Sequence, residues 1–120
     1  MAGKPVHVEI GASDTQRALR FYGDLFGWQF QAFEGSPTEY HMAQFSEDSG
    51  GAIYASDGGG GGRVYYDVDD IRAGRERVQE LGGSADEAMP VPGMGWFVQC
   101  TDTEGNPFGL WQTDPNASMA

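Results

Sequence analysis

Val6-His-Val-Glu-Ile10 sets an imidazole and a carboxylate two residues apart on a stretch that alternates as a β-strand. His7 and Glu9 then share one face, about 7 Å apart, while Val6, Val8 and Ile10 share the other. A carboxylate that near raises the imidazole pKa and leaves a proton shuttle around neutral pH. His7 and Glu9 are therefore the candidate catalytic residues. The plainer alternative is a satisfied polar pair on a strand face.

A second constellation lies 56 residues further on, where Arg63-Val-Tyr-Tyr-Asp-Val68 alternates in the same way. Arg63, Tyr65 and Asp67 share a face there, and the guanidinium can hold a carboxylate or enolate-like oxygen through paired N–H donors. An internal salt bridge from Arg63 to Glu9 or Asp67 is the competing reading. Trp96 and Trp111 lie on two later strand-like runs and offer indole faces for a flat ligand. Arg63, Tyr65, Trp96 and Trp111 are the candidate substrate-binding residues. His41 reads as a surface or satisfied histidine, Cys100 as a small buried hydrophobe and Ser13 as a helix cap.

Helices and turns must position these groups. Ser13-x-x-Gln16 reads as a capping box opening a helix whose apolar stripe is Ala18, Phe21, Tyr22, Leu25 and Phe26, and Gly27 stops it. A second helix begins at Asp69 or Asp70, carries Ile71, Gly74, Val78 and Leu81 along one side, and ends at Gly82-Gly83. Each helix is followed by three short strand-like runs, near 28–33, 39–45 and 51–55, then near 84–89, 95–101 and 107–112. The order βαβββ thus occurs twice at an offset of 56, marked by Asp14 and Asp70, Leu25 and Leu81, and Gly27 and Gly83. Between the copies, Gly58 to Gly62 reads as a linker. A phosphate-cradling loop would need a helix after the glycines, whereas a strand follows. Pro90-Val-Pro-Gly-Met-Gly95 reads as a loop, either a lid-like segment or a rigid connector.

The chain has 120 residues, 18 acidic and 7 basic side chains and a net charge of -11. One α+β domain follows: module one near residues 5–56, a linker at 57–62, module two near 63–113 and a short tail at 114–120. A chain of this size buries roughly two-thirds of its unfolded surface without disulfides or structural metals, and Cys100 has no partner cysteine. Strong acidity without a basic cluster argues against a nucleic-acid partner, whose affinity comes largely from Lys and Arg on phosphates. No apolar run reaches the roughly 18 residues of a membrane span, and no secretory signal opens the chain, so a cytoplasmic protein without a membrane partner is expected. Charge of one sign also opposes compaction through self-repulsion, so moderate salt is expected to stabilise the fold.

The segments His7-Val-Glu-Ile10, Ser13-Asp-Thr-Gln-Arg-Ala-Leu-Arg-Phe-Tyr-Gly-Asp-Leu-Phe-Gly-Trp28, Asp67-Val-Asp-Asp70 with Leu81-Gly-Gly83, and Thr101-Asp-Thr-Glu-Gly-Asn-Pro-Phe-Gly-Leu-Trp-Gln112 resemble the vicinal oxygen chelate superfamily. That superfamily includes glyoxalase I, bleomycin-resistance proteins and extradiol dioxygenases. The resemblance implies two curled mixed sheets enclosing a cavity, with helices outside. It also implies a divalent metal held from the first and last strand of each module, at positions that fall here on His7, near Ile53, on Arg63 and on Gly109. Only His7 of these can coordinate a metal. The expectation is therefore a protein that binds a small organic molecule without the usual metal or any other cofactor. The alternative is a lyase, isomerase or dioxygenase-like enzyme using His7 and Glu9 in acid/base or metal chemistry, with Glu9 or His41 as an unexpected ligand. The resemblance further implies a homodimer, and the glycine linker would permit its modules to exchange between chains.

Overall fold

The computed structural model describes residues 3–36, 38–57 and 61–118. Its elements follow the doubled order. The first module comprises β1 (Lys4–Ala12), α1 (Thr15–Phe26), β2 (Gln31–Ala32), β3 (Tyr40–Gln44) and β4 (Gly50–Ala55). The second comprises β5 (Gly62–Asp67), α2 (Ile71–Glu80), β6 (Ser84–Ala85), β7 (Met89–Val91), β8 (Gly95–Thr101) and β9 (Pro107–Thr113). Residue contacts divide the chain at the start of β1: His7–Arg63 form one compact unit, and the residues up to Val6 join those from Val64 onward in the other. Gly58 to Gly60 of the expected linker lie outside the described residues. Among the described residues, no helix is long and apolar enough to cross a membrane.

In the first module β1 runs parallel to β4, β4 antiparallel to β3, and β3 antiparallel to β2. The sheet is mixed because the helix carries the chain back before β4 is laid down beside β1. α1 starts one residue later than the capping box predicts. Asp14, not Ser13, is the N-cap, and its carboxylate accepts from the Arg17 N–H at 3.0 Å. A charged acceptor at the positive end of the helix outcompetes a hydroxyl next to it. Gly27 closes α1 with φ of 74°, its N–H bonded to the Gly23 carbonyl. The run expected near 28–33 is a strand only at Gln31–Ala32, because Trp28 leaves the sheet to stack between Tyr22 and Phe45, with ring centroids 5.7 and 4.1 Å away. That stack, with buried Ile53, Ala43 and Ala12, makes the module's core. Of the apolar stripe expected on α1, Tyr22 joins it, while Phe21, Leu25 and Phe26 remain 60, 58 and 56% exposed.

In the second module β5 runs parallel to β9, β9 antiparallel to β8, and β6 and β7 both pair antiparallel with β8. Asp70 caps α2 by accepting from the N–H groups of Arg72 and Ala73. Ile71, Val98, Cys100 and Leu110 form the core under this helix, and Val98 is fully buried. β7 corrects the reading of Pro90 to Gly95 as a loop. Met89, Pro90 and Val91 pair with Phe97, Trp96 and Gly95, as an edge strand can despite a proline. Between β8 and β9 the Asp102 carboxylate gathers the N–H groups of Glu104 and Asn106 and the Asn106 amide at 2.8, 2.9 and 3.1 Å. The segment Asp102-Thr-Glu-Gly-Asn106 is therefore a side-chain-braced turn. These hydrogen bonds, led by that from Asn106, hold the Asp102 carboxyl below its ordinary range.

Candidate functional site

Strand register decides which side chains can meet. In the first module His7 pairs with Gly50, Glu9 with Ala52, Tyr40 with Tyr54 and Met42 with Ala52. Directly paired residues project to the same side, so His7, Glu9, Tyr40, Met42 and Tyr54 share one face. His41 and Ile53, paired with each other, share the opposite face.

On the His7 face three polar groups form a chain. The Tyr40 hydroxyl donates to Glu9 Oε2 at 2.9 Å, and His7 Nε2 lies 2.8 Å from the same oxygen of Tyr40. A phenol has one proton to give. Once it is directed at the Glu9 carboxylate, the Tyr40 oxygen can only accept from His7, which makes Nε2–H the donor and Nδ1 the nitrogen bearing the lone pair. The two rings are nearly parallel, with centroids 6.4 Å apart.

Sequence spacing predicts an imidazole pKa raised by Glu9, and the structure corrects that direction. Burial lowers the His7 pKa below its ordinary value, and the nearby Glu9 charge only partly opposes it. Burial wins because Glu9 acts through an intervening phenol, whereas removal of water acts on the ring itself. His7 is therefore neutral at pH 7, with a basic Nδ1 and a hydrogen-bonded path from Nε2 to a carboxylate. Such a group can take a proton from a bound molecule while the Tyr40–Glu9 pair stabilises the resulting positive charge.

His41 belongs elsewhere. Its Nε2 lies 2.7 Å from Glu39 Oε2, which also accepts from the Thr15 hydroxyl at 2.7 Å. The Thr15 bond first, and the His41 bond second, hold the Glu39 carboxyl below its ordinary range. This cluster ties β3 to the first residue of α1, so the expectation of His41 as a ligand beside His7 fails on register.

In the second module Tyr65 pairs with Gly109, Gln99 with Gly109, Phe97 with Trp111 and Asp67 with Trp111. Tyr65, Asp67, Phe97, Gln99, Gly109 and Trp111 therefore share one face. Trp111 spans Gly95, where an added Cβ would overlap its indole, and its Nε1–H donates to Thr113 Oγ1 at 3.0 Å. Tyr65 is 4% exposed, packed over Gly109 and edge-on to Phe97 at 6.3 Å. Its ring is thus largely withdrawn from any molecule on this face.

Trp96 requires a correction, because strand parity sends it to the other side. It packs against the core under α2 with Val98 and Cys100, and its Nε1–H donates to Asp114 Oδ2 at 3.1 Å. Arg63 follows the first residue of β5 and is half-buried. Sequence reasoning missed Tyr40 and Phe97. Alternation along Tyr40, Met42 and Gln44 was the available signal for Tyr40, although nothing in the sequence fixes its partner 33 residues away.

The metal positions implied by the superfamily resemblance can now be tested against donor chemistry. Ile53 is fully buried on the face away from His7, and Ala52 takes the inward position beside Glu9. At the other module's last strand, the space beside Gly109 is filled by the Tyr65 ring. Among the described residues, no three His, Cys, Asp or Glu side chains come together as a ligand group. The residues present do not fit a divalent ion of that kind.

The glyoxalase-like domain family matches residues 7–111. A glyoxylase-like domain-containing protein of Didymella fabae is 35% identical over 111 residues, covering 82% of this chain and 85% of that protein. CFP32 of Mycobacterium bovis is 29% identical over 121 residues, and the chain, of which 93% is covered, spans 46% of its length. Among solved structures, methylmalonyl-CoA epimerase from Mycobacterium tuberculosis superposes with a TM-score of 0.73 at 16% identity, covering 93% of this chain and 89% of that one. Protein BH1468 from Bacillus halodurans superposes with a TM-score of 0.76 at 14% identity, covering 97% and 98%. At such identities the structures establish the fold alone. Doubled βαβββ modules, the matched family and the relative similar over most of its length together place this chain in the glyoxalase-like domain family of the vicinal oxygen chelate superfamily.

Proposed function

We propose that this domain binds a small organic molecule through the open sheet faces of its modules, without the divalent metal of its relatives. The observation that carries this reading is the loss of donors at the implied metal positions, above all Gly109, whose side-chain space Tyr65 occupies. What remains are groups suited to an organic ligand: the His7–Tyr40–Glu9 chain and Arg63 for an acidic or carbonyl oxygen, and Phe97 with Trp111 for a planar ring. Elemental mass spectrometry of tag-free protein isolated without chelator tests the metal clause. Less than a tenth of an equivalent of any transition metal is expected, and near one equivalent of a single metal overturns it. A thermal-shift screen of planar carboxylic acids tests the binding clause. At least one is expected to raise Tm, less so in Trp111→Ala, because a ligand selective for the folded state must stabilise it. No shift across the panel counts against it.

A second reading, an enzyme that moves a proton, is favoured by the hydrogen-bonded chain behind His7. In it, Nδ1 removes a proton from a carbon beside a carbonyl, Nε2–H holds its bond to Tyr40, and Glu9 balances the imidazolium. The epimerase among the structural neighbours supplies the probe. Methylmalonyl-CoA incubated with the protein in deuterated water would take up deuterium at the α-carbon, and His7→Ala would abolish the uptake. Uptake unchanged in that variant removes His7 from the mechanism.

A further inference from the structure

α1 carries more apolar surface than its own sheet covers. Ala18, Leu19, Tyr22 and Gly23 turn toward β4 and are half-buried, whereas Phe21 and Leu25, one turn apart, line the flank of the helix and stay more than half exposed. Phe26 is exposed at the helix end. Alongside this flank runs an open groove of about 370 Å³, floored by Gly11, Ala12 and Ala18 and walled by Phe21 and Tyr22. A helix serving one sheet needs an apolar stripe little more than 100° wide, and this arc is about twice that. The surplus is a second face.

Charge indicates what that face can meet. The chain carries -11 overall, yet α1 holds Arg17 and Arg20 against the single Asp24. Two copies of an acidic protein repel over most of their surface, and they repel least where cations are concentrated. A two-fold contact is also self-complementary, since the same patch supplies both the protruding ring and the groove that receives it. In area, the exposed parts of Phe21, Leu25 and Phe26 amount to about 300 Å², a large fraction of the roughly 800 Å² that each partner of a stable complex contributes. The groove walls and the Arg17 and Asp14 side chains at its rim extend the patch.

We propose that a second copy of this chain covers the α1 flank, with Phe21 of each copy seated in the other's groove and the Leu25 side chains meeting near the two-fold. The contact needs no exchange of modules between chains. Sedimentation velocity on the full chain at micromolar concentration tests it. The expected mass is twice 13.0 kDa, and Leu25→Glu is expected to return the chain to the monomer mass with an unchanged far-ultraviolet circular dichroism spectrum. Leu25→Gln, which adds no charge, is expected to weaken the dimer at least tenfold and guards against misfolding of the first variant. Leu81→Glu, at a comparably exposed leucine at the end of α2, should leave the mass at the dimer value. A wild-type mass of 13.0 kDa, or a dimer that survives both Leu25 substitutions, overturns the proposal, as does dissociation by Leu81→Glu alone.

Discussion

The ring of Tyr65 lies across the backbone of Gly109, its register partner on the neighbouring parallel strand, so closely that a Cβ there would fall within the ring. Gly109→Ala is therefore expected to destabilise the fold by about 1–3 kcal/mol, the usual cost of overpacking. The check is urea unfolding of Gly109→Ala, Tyr65→Ala and the double variant. Because the two sites touch, the double variant should be more stable than the summed single effects predict. Strict additivity would show that the ring does not occupy the glycine's space.

Tyr40→Phe keeps the ring and removes the oxygen between His7 and Glu9. Leaving the partly buried Nε2–H without its acceptor should cost about 1–2 kcal/mol. The sharper readout is the nitrogen-15 shift pattern of His7. Wild type should show the Nε2–H tautomer, and the variant a mixture with Nδ1–H. An unchanged pattern would mean that something other than Tyr40 sets the tautomer.

Stability should fall as the solution is acidified through the range just below pH 6.5. Burial depresses the His7 pKa in the folded state, while the unfolded chain titrates near the ordinary 6.5. Between those two values the unfolded state binds more protons, so stability rises with pH there and is fully gained above 6.5. Glu39 and Asp102, with depressed carboxyls, add a separate loss that begins only below their ordinary values of 4.5 and 3.8. Calorimetric Tm profiles of wild type and His7→Gln from pH 4 to 8 should diverge between about pH 5 and 6.5 and run parallel at lower pH. Identical slopes throughout would exclude His7 as the source.

Salt should stabilise the chain. With a net charge of -11, self-repulsion opposes compaction, and screening relieves it over distances beyond about 10 Å at 0.1 M. Tm is expected to climb between 10 mM and 1 M NaCl, most steeply at the low end. A decline would place the dominant electrostatic effect in local attractions such as Arg17 with Asp14 and Arg77 with Glu80.

Local signals made the scaffold legible. Gly27 and Gly82 stop helices because their positive φ suits a residue without Cβ, and the 56-residue offset pairs Glu9 with Ala52 just as it pairs Tyr65 with Gly109. Signals failed where competition between neighbours decides. Ser13 and Asp14 both suit an N-cap, and only the folded helix shows which is used. Trp28 has strand chemistry but spends it on stacking. The candidate site was half legible. His7 and Glu9 follow from alternation, and Trp111 from its parity with Gly109, while Trp96 was misplaced because its own parity, one residue from Phe97, was not applied. Tyr40 and the direction of the His7 shift depend on long-range register and burial, which one strand does not encode.

Residues up to Val6 belong with the second unit, and the Gly3 N–H donates to the Asp67 carbonyl at 2.8 Å. The compact bodies of this protein therefore do not coincide with the halves of its polypeptide. A fragment beginning after the glycines would lack that donor and the start of β1, whereas a circular permutant opened among the glycines would retain both. The seam in the genetic text and the seam in the folded object lie at different residues.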